Sequence, residues 1–225
     1  MGAVPDPQVA RALILETHSP ESPNATEVSY LKVRYARSYA GLEECRALKI
    51  LILVGCGTFA IPSLKPHPGL VQLSVSDSDV RMVTGIDGAH ELHTVDLPRN
   101  FIEDLSPLLD CAQLRSFDVR GNPLSDATYS TVLPELERRG VKMVVPTLQE
   151  RDLMLRLRSI GLPYSYYRKG GSYRLSRPGL GLTDMPEADH IKIGPEELSR
   201  LLDTDHEALA GIFERKDLMP TLRDP

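Results

Sequence analysis

Apolar residues along this chain recur on a fixed spacing. From Leu92 the sequence reads LHTVDLPRNFI and, eleven residues further on, LRSFDVRGNPL. Both stretches are apolar at positions 1, 4, 6 and 11 and carry Asn at position 9. The same frame, advanced by 22 residues, aligns Leu48, Leu70, Leu92 and Leu114 at position 1. Position 4 becomes Leu51, Leu73, Val95 and Phe117; position 6 becomes Leu53, Val75, Leu97 and Val119; position 9 becomes Cys56, Ser78, Asn100 and Asn122. The intervening stretches keep the period too. Ile61, Val83 and Leu105 form one column, Leu42, Leu64, Ile86 and Leu108 another, and Cys45, Ala89 and Cys111 a third in which His67 is the exception.

Side chains alternate across a strand, so positions 4 and 6 point to one face and positions 3, 5 and 7 to the other. One 22-residue turn cannot bury its apolar face alone, whereas stacked turns share a continuous core. The position-9 side chain enters the bend after the strand, where an Asn amide both donates and accepts. Asn100 and Asn122 are therefore structural. An LxxLxLxxNxL pattern at this period resembles the leucine-rich repeat in its 22-residue class, over about residues 28–145. NPLSD followed by ERRGV resembles the terminal turn of bacterial leucine-rich-repeat proteins. The resemblance implies an α/β fold: a leucine-rich-repeat solenoid with a parallel strand ladder, followed by a small α+β module.

Three segments result: 1–27 as an N-terminal cap or linker, 28–145 as the solenoid, and 146–225 as the α+β module. Pro7 to Thr17 is a short helix with Pro in its first turn, and HSPESPNAT is a loop. Val28 to Ala36 alternates as an irregular first strand, 20 rather than 22 residues before the next. Ser125 or Asp126 caps a helix that Pro134 splits or kinks, and VKMVV is the final strand. Beyond it, Leu148 to Ile160 reads as a helix with Leu153, Leu157 and Ile160 on one face. YSYYRKGGSYRLSRPG reads as a hairpin turning at Lys169-Gly170-Gly171. His190 to Ile193 is a short strand, Gly194-Pro195-Glu196-Glu197 opens a helix, and a last helix covers His206 to Phe213.

Composition narrows the function. The net charge of -5 excludes a polycation, and no run approaches the ~18 apolar residues of a membrane span. Three cysteines and an N-terminus without a basic leader region point to a reducing, cytoplasmic setting. Cys45 and Cys111 share a column three turns apart, ~14 Å at strand spacing and beyond disulfide reach. His90 and His93 lack a third ligand, Lys169 and Gly179 lie in no phosphate-loop spacing, and no nucleophile motif occurs. Neither a metal nor a cofactor is expected.

Two surfaces remain. The outward sheet face gathers Lys32, Arg34, Ile50, Ile52, Val54, Ser74, Asp96, Asp118 and Arg120. Three consecutive aliphatics on an outward face, rimmed by charge, suit a protein-binding patch, unless residues 1–27 lie over them. The expected function is a non-enzymatic protein-interaction module, either an inhibitor or immunity-type partner or a regulatory adaptor of bacterial origin. The alternative is nucleic-acid binding through the basic, Tyr-rich hairpin at Tyr167, Arg168, Lys169, Tyr173, Arg174 and Arg177. Against it, the acids Asp184, Glu187, Asp189, Glu196 and Glu197 stand ready to pair with the hairpin. An enzyme site within 146–225 is the least supported reading.

Overall fold

A computed structural model describes residues 4–19, 24–86, 88–182 and 190–214. The first element is helix α1 (Pro7–Thr17). Its N-cap Asp6 accepts a hydrogen bond from the Gln8 N–H at 2.8 Å, and a proline sits in its first turn. Strands β1 (Tyr30–Arg34), β2 (Ile50–Val54), β3 (Gln72–Ser76), β4 (Thr94–Asp96) and β5 (Ser116–Asp118) follow. After α2 (Leu133–Arg138), β6 (Lys142–Val144) completes a six-stranded parallel sheet whose strands lie in sequence order.

The register fulfils the spacing. Ile50 pairs with Gln72, Gln72 with Thr94 and Thr94 with Ser116, each 22 residues apart. The short first interval is absorbed without a bulge, since Tyr30 pairs with Ile50. The columns at positions 1, 4 and 6 are all buried. His67 fits its apolar column because its Nδ1 lies 3.0 Å from the Cys45 carbonyl oxygen, and burial holds its pKa below the usual histidine value. The fold is thus a leucine-rich-repeat solenoid built on this chain's own 22-residue register.

The position-9 residues form a hydrogen-bonded ladder down the bend. Asn122 Oδ1 accepts from the Ile102 N–H, and its Nδ2 donates to the carbonyls of Leu97 and Val119. Asn100 Oδ1 accepts from the Ser78 N–H, and its Nδ2 donates to the carbonyls of Val75, Leu97 and Pro98. Ser78 Oγ accepts from the Cys56 N–H and donates to Ser76. Cys56 offers a weak contact from Sγ to the Val54 carbonyl at 3.7 Å. The amide rungs satisfy buried backbone groups that would otherwise lack partners, and the ladder weakens toward β2.

Helix α1 closes the open end. Val9, Ala12 and Leu13 are buried in the same core as the repeat columns. The Asp6 carboxylate also accepts from the N–H groups of Arg37 and Ser38, both at 3.0 Å. That ties the cap to the first turn. At the far end Ser125 is the residue that caps the following helix, through a 3.2 Å bond from the Thr128 N–H. A π-helical turn (Thr128–Val132) precedes α2, and Pro134, which has no N–H to continue the ladder, stands at the junction.

Helix α3 (Leu148–Ser159) starts with a reciprocal capping box between Thr147 and Glu150. Strands β7 (Ser165–Lys169), β8 (Ser172–Ser176) and β9 (Ile191–Lys192) form an antiparallel sheet, with Gly170 and Gly171 in the turn. Helix α4 (Pro195–Thr204) and the short α5 (His206–Ala210) complete the chain's described elements with a 3₁₀ turn at Ile212–Glu214. The final helix expected over 206–213 is therefore broken at Gly211. This module has its own core, including Leu153, Leu157, Tyr166, Leu175, Ile191 and Leu198. Of the acids expected to pair with the hairpin, Asp184, Glu187 and Asp189 lie outside the described residues, as do residues 20–23 of the proline-rich loop.

Candidate interaction surface

The outward sheet face changes character strand by strand. On β1, Lys32 and Arg34 are exposed. On β2, Ile50 and Ile52 are half-buried, but Val54 is only 6% exposed and drops out of the apolar patch. The sequence pattern marked Val54 as outward, and the tertiary packing covers it. On β3 the face turns to amide and hydroxyl with Gln72, Ser74 and Ser76. Across β4 and β5, Asp96 is registered beside Asp118, and Thr94 Oγ1 lies 3.4 Å from Ser116 Oγ. At ~4.8 Å per strand, roughly 14–19 Å separates the cationic strand β1 from the acidic pair on β4 and β5.

The acidic end is partly self-neutralised. Arg120 folds back on Asp118, with Nη2 to Oδ2 at 2.6 Å and Nε to Oδ2 at 2.8 Å. Among the described residues Asp96 has no such ion pair. Burial, and then the charge of Asp118, push its pKa above the ordinary carboxylate value, against the opposing pull of Arg120 and a hydrogen bond from Gln72.

Helix α1 lies against β1 and leaves Ile50 and Ile52 part-exposed. The cap does not make the β2 patch into core. Burial raises the pKa of Cys45, Cys56 and Cys111 to about 11 each, so the thiols stay protonated at neutral pH. Among the described residues no group of three or more His, Cys, Asp or Glu side chains is placed to hold a metal ion. Nor is any helix among them long and apolar enough to cross a membrane.

The hairpin does not present the surface expected of it. Tyr167 and Arg174 are buried, at 0% and 4% exposure. The Arg177 guanidinium stacks on Phe213, and Arg168 lies over Tyr173. Arg168 alone of the six is exposed, with Lys169, Tyr173 and Arg177 half-buried. The interleaved aromatic and basic pattern arises because one face of the hairpin packs on the solenoid.

That packing engages a column the repeat pattern did not single out. At position 8, one residue after the outward face ends, stand Tyr35, Gly55, Asp77, Arg99 and Gly121. All five have positive φ, between 52° and 71°. The chain leaves each of these strands through a left-handed residue, a conformation glycine takes freely and other residues adopt at a cost. A Cβ on Gly55 would meet the Tyr35 ring at 2.8 Å, and one on Gly121 would collide with Ser165 Oγ.

The side chains at this column hold the module. Arg99 grips Asp77 through Nε to Oδ1 and Nη2 to Oδ2, both at 2.8 Å and both buried. Tyr167 of β7 lies under the Arg99 guanidinium, 5.1 Å from ring centroid to Cζ. The Tyr167 hydroxyl bonds His190 Nδ1 at 2.6 Å, and His190 Nε2 stands 3.6 Å from Asp77. Ser165 donates to the Gly121 carbonyl, and the Gly179 N–H to that of Asp77. Opposite charges at Asp77 and Arg99, one repeat apart, were the signal in the sequence; adjacent turns place them in contact.

No family model matches the chain, and no curated protein matches it either. Among solved structures it is similar to an internalin C2 from Listeria monocytogenes, at 16% identity over 64% of this chain and 77% of that one, with a TM-score of 0.45. An internalin (inlF) from the same organism is similar at 16% identity over 64% of this chain and 65% of that one, with a TM-score of 0.33.

Proposed function

We propose that this chain is a non-enzymatic protein-interaction module that presents its outward sheet face to a protein partner. The observation that carries the reading is the pair Ile50 and Ile52, left half-exposed on β2 between a cationic strand and an acidic pair. Apolar anchors inside a polar rim are the usual makeup of a binding hot spot. An inhibitor of the partner and an adaptor both suit such a face. The hairpin suits nucleic acid less well, because Tyr167 and Arg174 are committed to the interior.

The test is capture of a stoichiometric partner from the native host with wild type, Ile52→Asp and Asp118→Arg, each checked for folding by circular dichroism. Both side chains lie outside the repeat core, so the variants are expected to fold. Loss of a hot-spot contact weakens binding by about 2 kcal/mol or more, roughly thirtyfold. Partner retention at wild-type level by both variants refutes the assignment.

A further inference from the structure

The cationic edge of this face does not end at β1. A groove of about 270 Å³ runs between α1 and β1, lined by Gln8, Arg11, Ala12, Leu15, Lys32 and Arg34, with Tyr35 at its margin. The helical residues are spaced at i, i+3, i+4 and i+7, so they form one stripe along α1. Arg11, Lys32 and Arg34 are all exposed. Among the described residues, none of the three side chains has a hydrogen-bond or ion-pair partner. The groove also has an apolar side, Leu15, which is 67% exposed.

Three like charges gathered at one groove repel one another. They do so in a chain with 31 acids and 26 bases, where counter-charges for surface pairing are abundant. The volume lies below the ~300–1,000 Å³ of small-molecule pockets, which suits one or two side chains of a larger ligand. We infer that the groove receives an acidic segment of the protein partner, with carboxylates against Arg11, Lys32 and Arg34 and an adjoining apolar side chain against Leu15. This inference rests on the reading of the outward face as a protein-binding surface, and it extends that surface past β1 onto α1. A nucleic acid fits less well. A phosphate backbone needs a continuing cationic track, and beyond β2 this face turns to hydroxyls and then to Asp96 and Asp118.

The probe is a short fluorescein-labelled peptide of alternating glutamate and leucine, titrated with full-length protein and followed by polarisation. The same peptide with lysine for glutamate and a labelled oligothymidylate are compared. Wild type is expected to bind the acidic peptide and neither control. Binding is expected to fall about tenfold or more in Arg11→Glu/Arg34→Glu, as two or more rim contacts turn repulsive, and to weaken with added salt. Arg46→Glu/Arg115→Glu carries the same change in net charge on exposed residues away from the groove and is expected to bind as wild type does. No binding of the acidic peptide by wild type overturns the inference, as does equal loss in the two double variants. Binding of oligothymidylate that disappears in Arg11→Glu/Arg34→Glu also overturns it and assigns the groove to nucleic acid. A host partner lost by Ile52→Asp but kept by Arg11→Glu/Arg34→Glu overturns the groove alone, whereas a partner kept by both overturns the face as well.

Discussion

Replacing Asp77 with Asn removes the carboxylate that the Arg99 guanidinium grips through two bonds. Asn is almost isosteric and tolerates the left-handed backbone at this position, where φ is 52°, so the perturbation is confined to charge. Both side chains are buried, at 7% and 0% exposure, and solvent screens the pair little. Removing one member of a buried pair costs ~3–5 kcal/mol. The Tyr167 ring under Arg99 and one remaining amide acceptor recover about 1 kcal/mol of this. The expected loss is therefore ~2–4 kcal/mol, a large share of the ~5–15 kcal/mol typical of a folded protein. Urea unfolding measures it with two probes. The chain has no Trp and eight Tyr, and four of them, Tyr164, Tyr166, Tyr167 and Tyr173, belong to the module, so half of the tyrosines report on the module while far-UV circular dichroism follows the whole chain. In Asp77→Asn the tyrosine transition should move to lower urea ahead of the far-UV transition. Arg99→Met should cost a similar amount, and the double variant clearly less than the sum. A loss below about 1 kcal/mol with coincident transitions refutes the claim that this pair fastens the module.

The ladder and the cap give two further tests. Asn100→Ala strips partners from the Ser78 N–H and from the carbonyls of Val75 and Pro98. It should cost about 3 kcal/mol, or roughly 6–12 °C in Tm, by calorimetry; a drop of a degree or two contradicts the ladder's role. Asp6→Ala should loosen α1, seen as faster amide exchange through Pro7–Thr17 at neutral pH. Burial pushes the Asp6 pKa up, but N–H donation from Gln8, Ser38, Arg37 and Val9 outweighs it and holds the carboxyl below its ordinary 3.8. A lowered folded value means its stabilisation is complete above the unfolded value and is lost as pH falls through the folded one. The exchange difference between wild type and Asp6→Ala should thus begin to narrow only as pH falls below 3.8 and close once pH has passed below the folded value; a gap that does not change with pH contradicts the carboxylate's role.

Most of the solenoid was legible before any coordinates. Residues 22 apart occupy equivalent places in successive turns, so apolar columns had to meet in one core and outward columns had to share one face. Local signals sufficed for α1, α3, the hairpin and α4, because proline, glycine and capping residues act on their own neighbourhoods. The charge gradient across the outward face followed from the same frame. What the sequence left open was everything set by segments far apart in the chain. Strand periodicity separates two faces but does not say what covers either, so Val54 read as outward and is buried. The hairpin's tyrosines and arginines read as a nucleic-acid surface, yet Tyr167 is spent on Arg99 and His190. Leu180 meets Asp79 across 101 residues, a separation at which no local pattern carries information. Only the folded chain decides which rim of the solenoid the module covers, and therefore which of the two charged surfaces stays open to a partner.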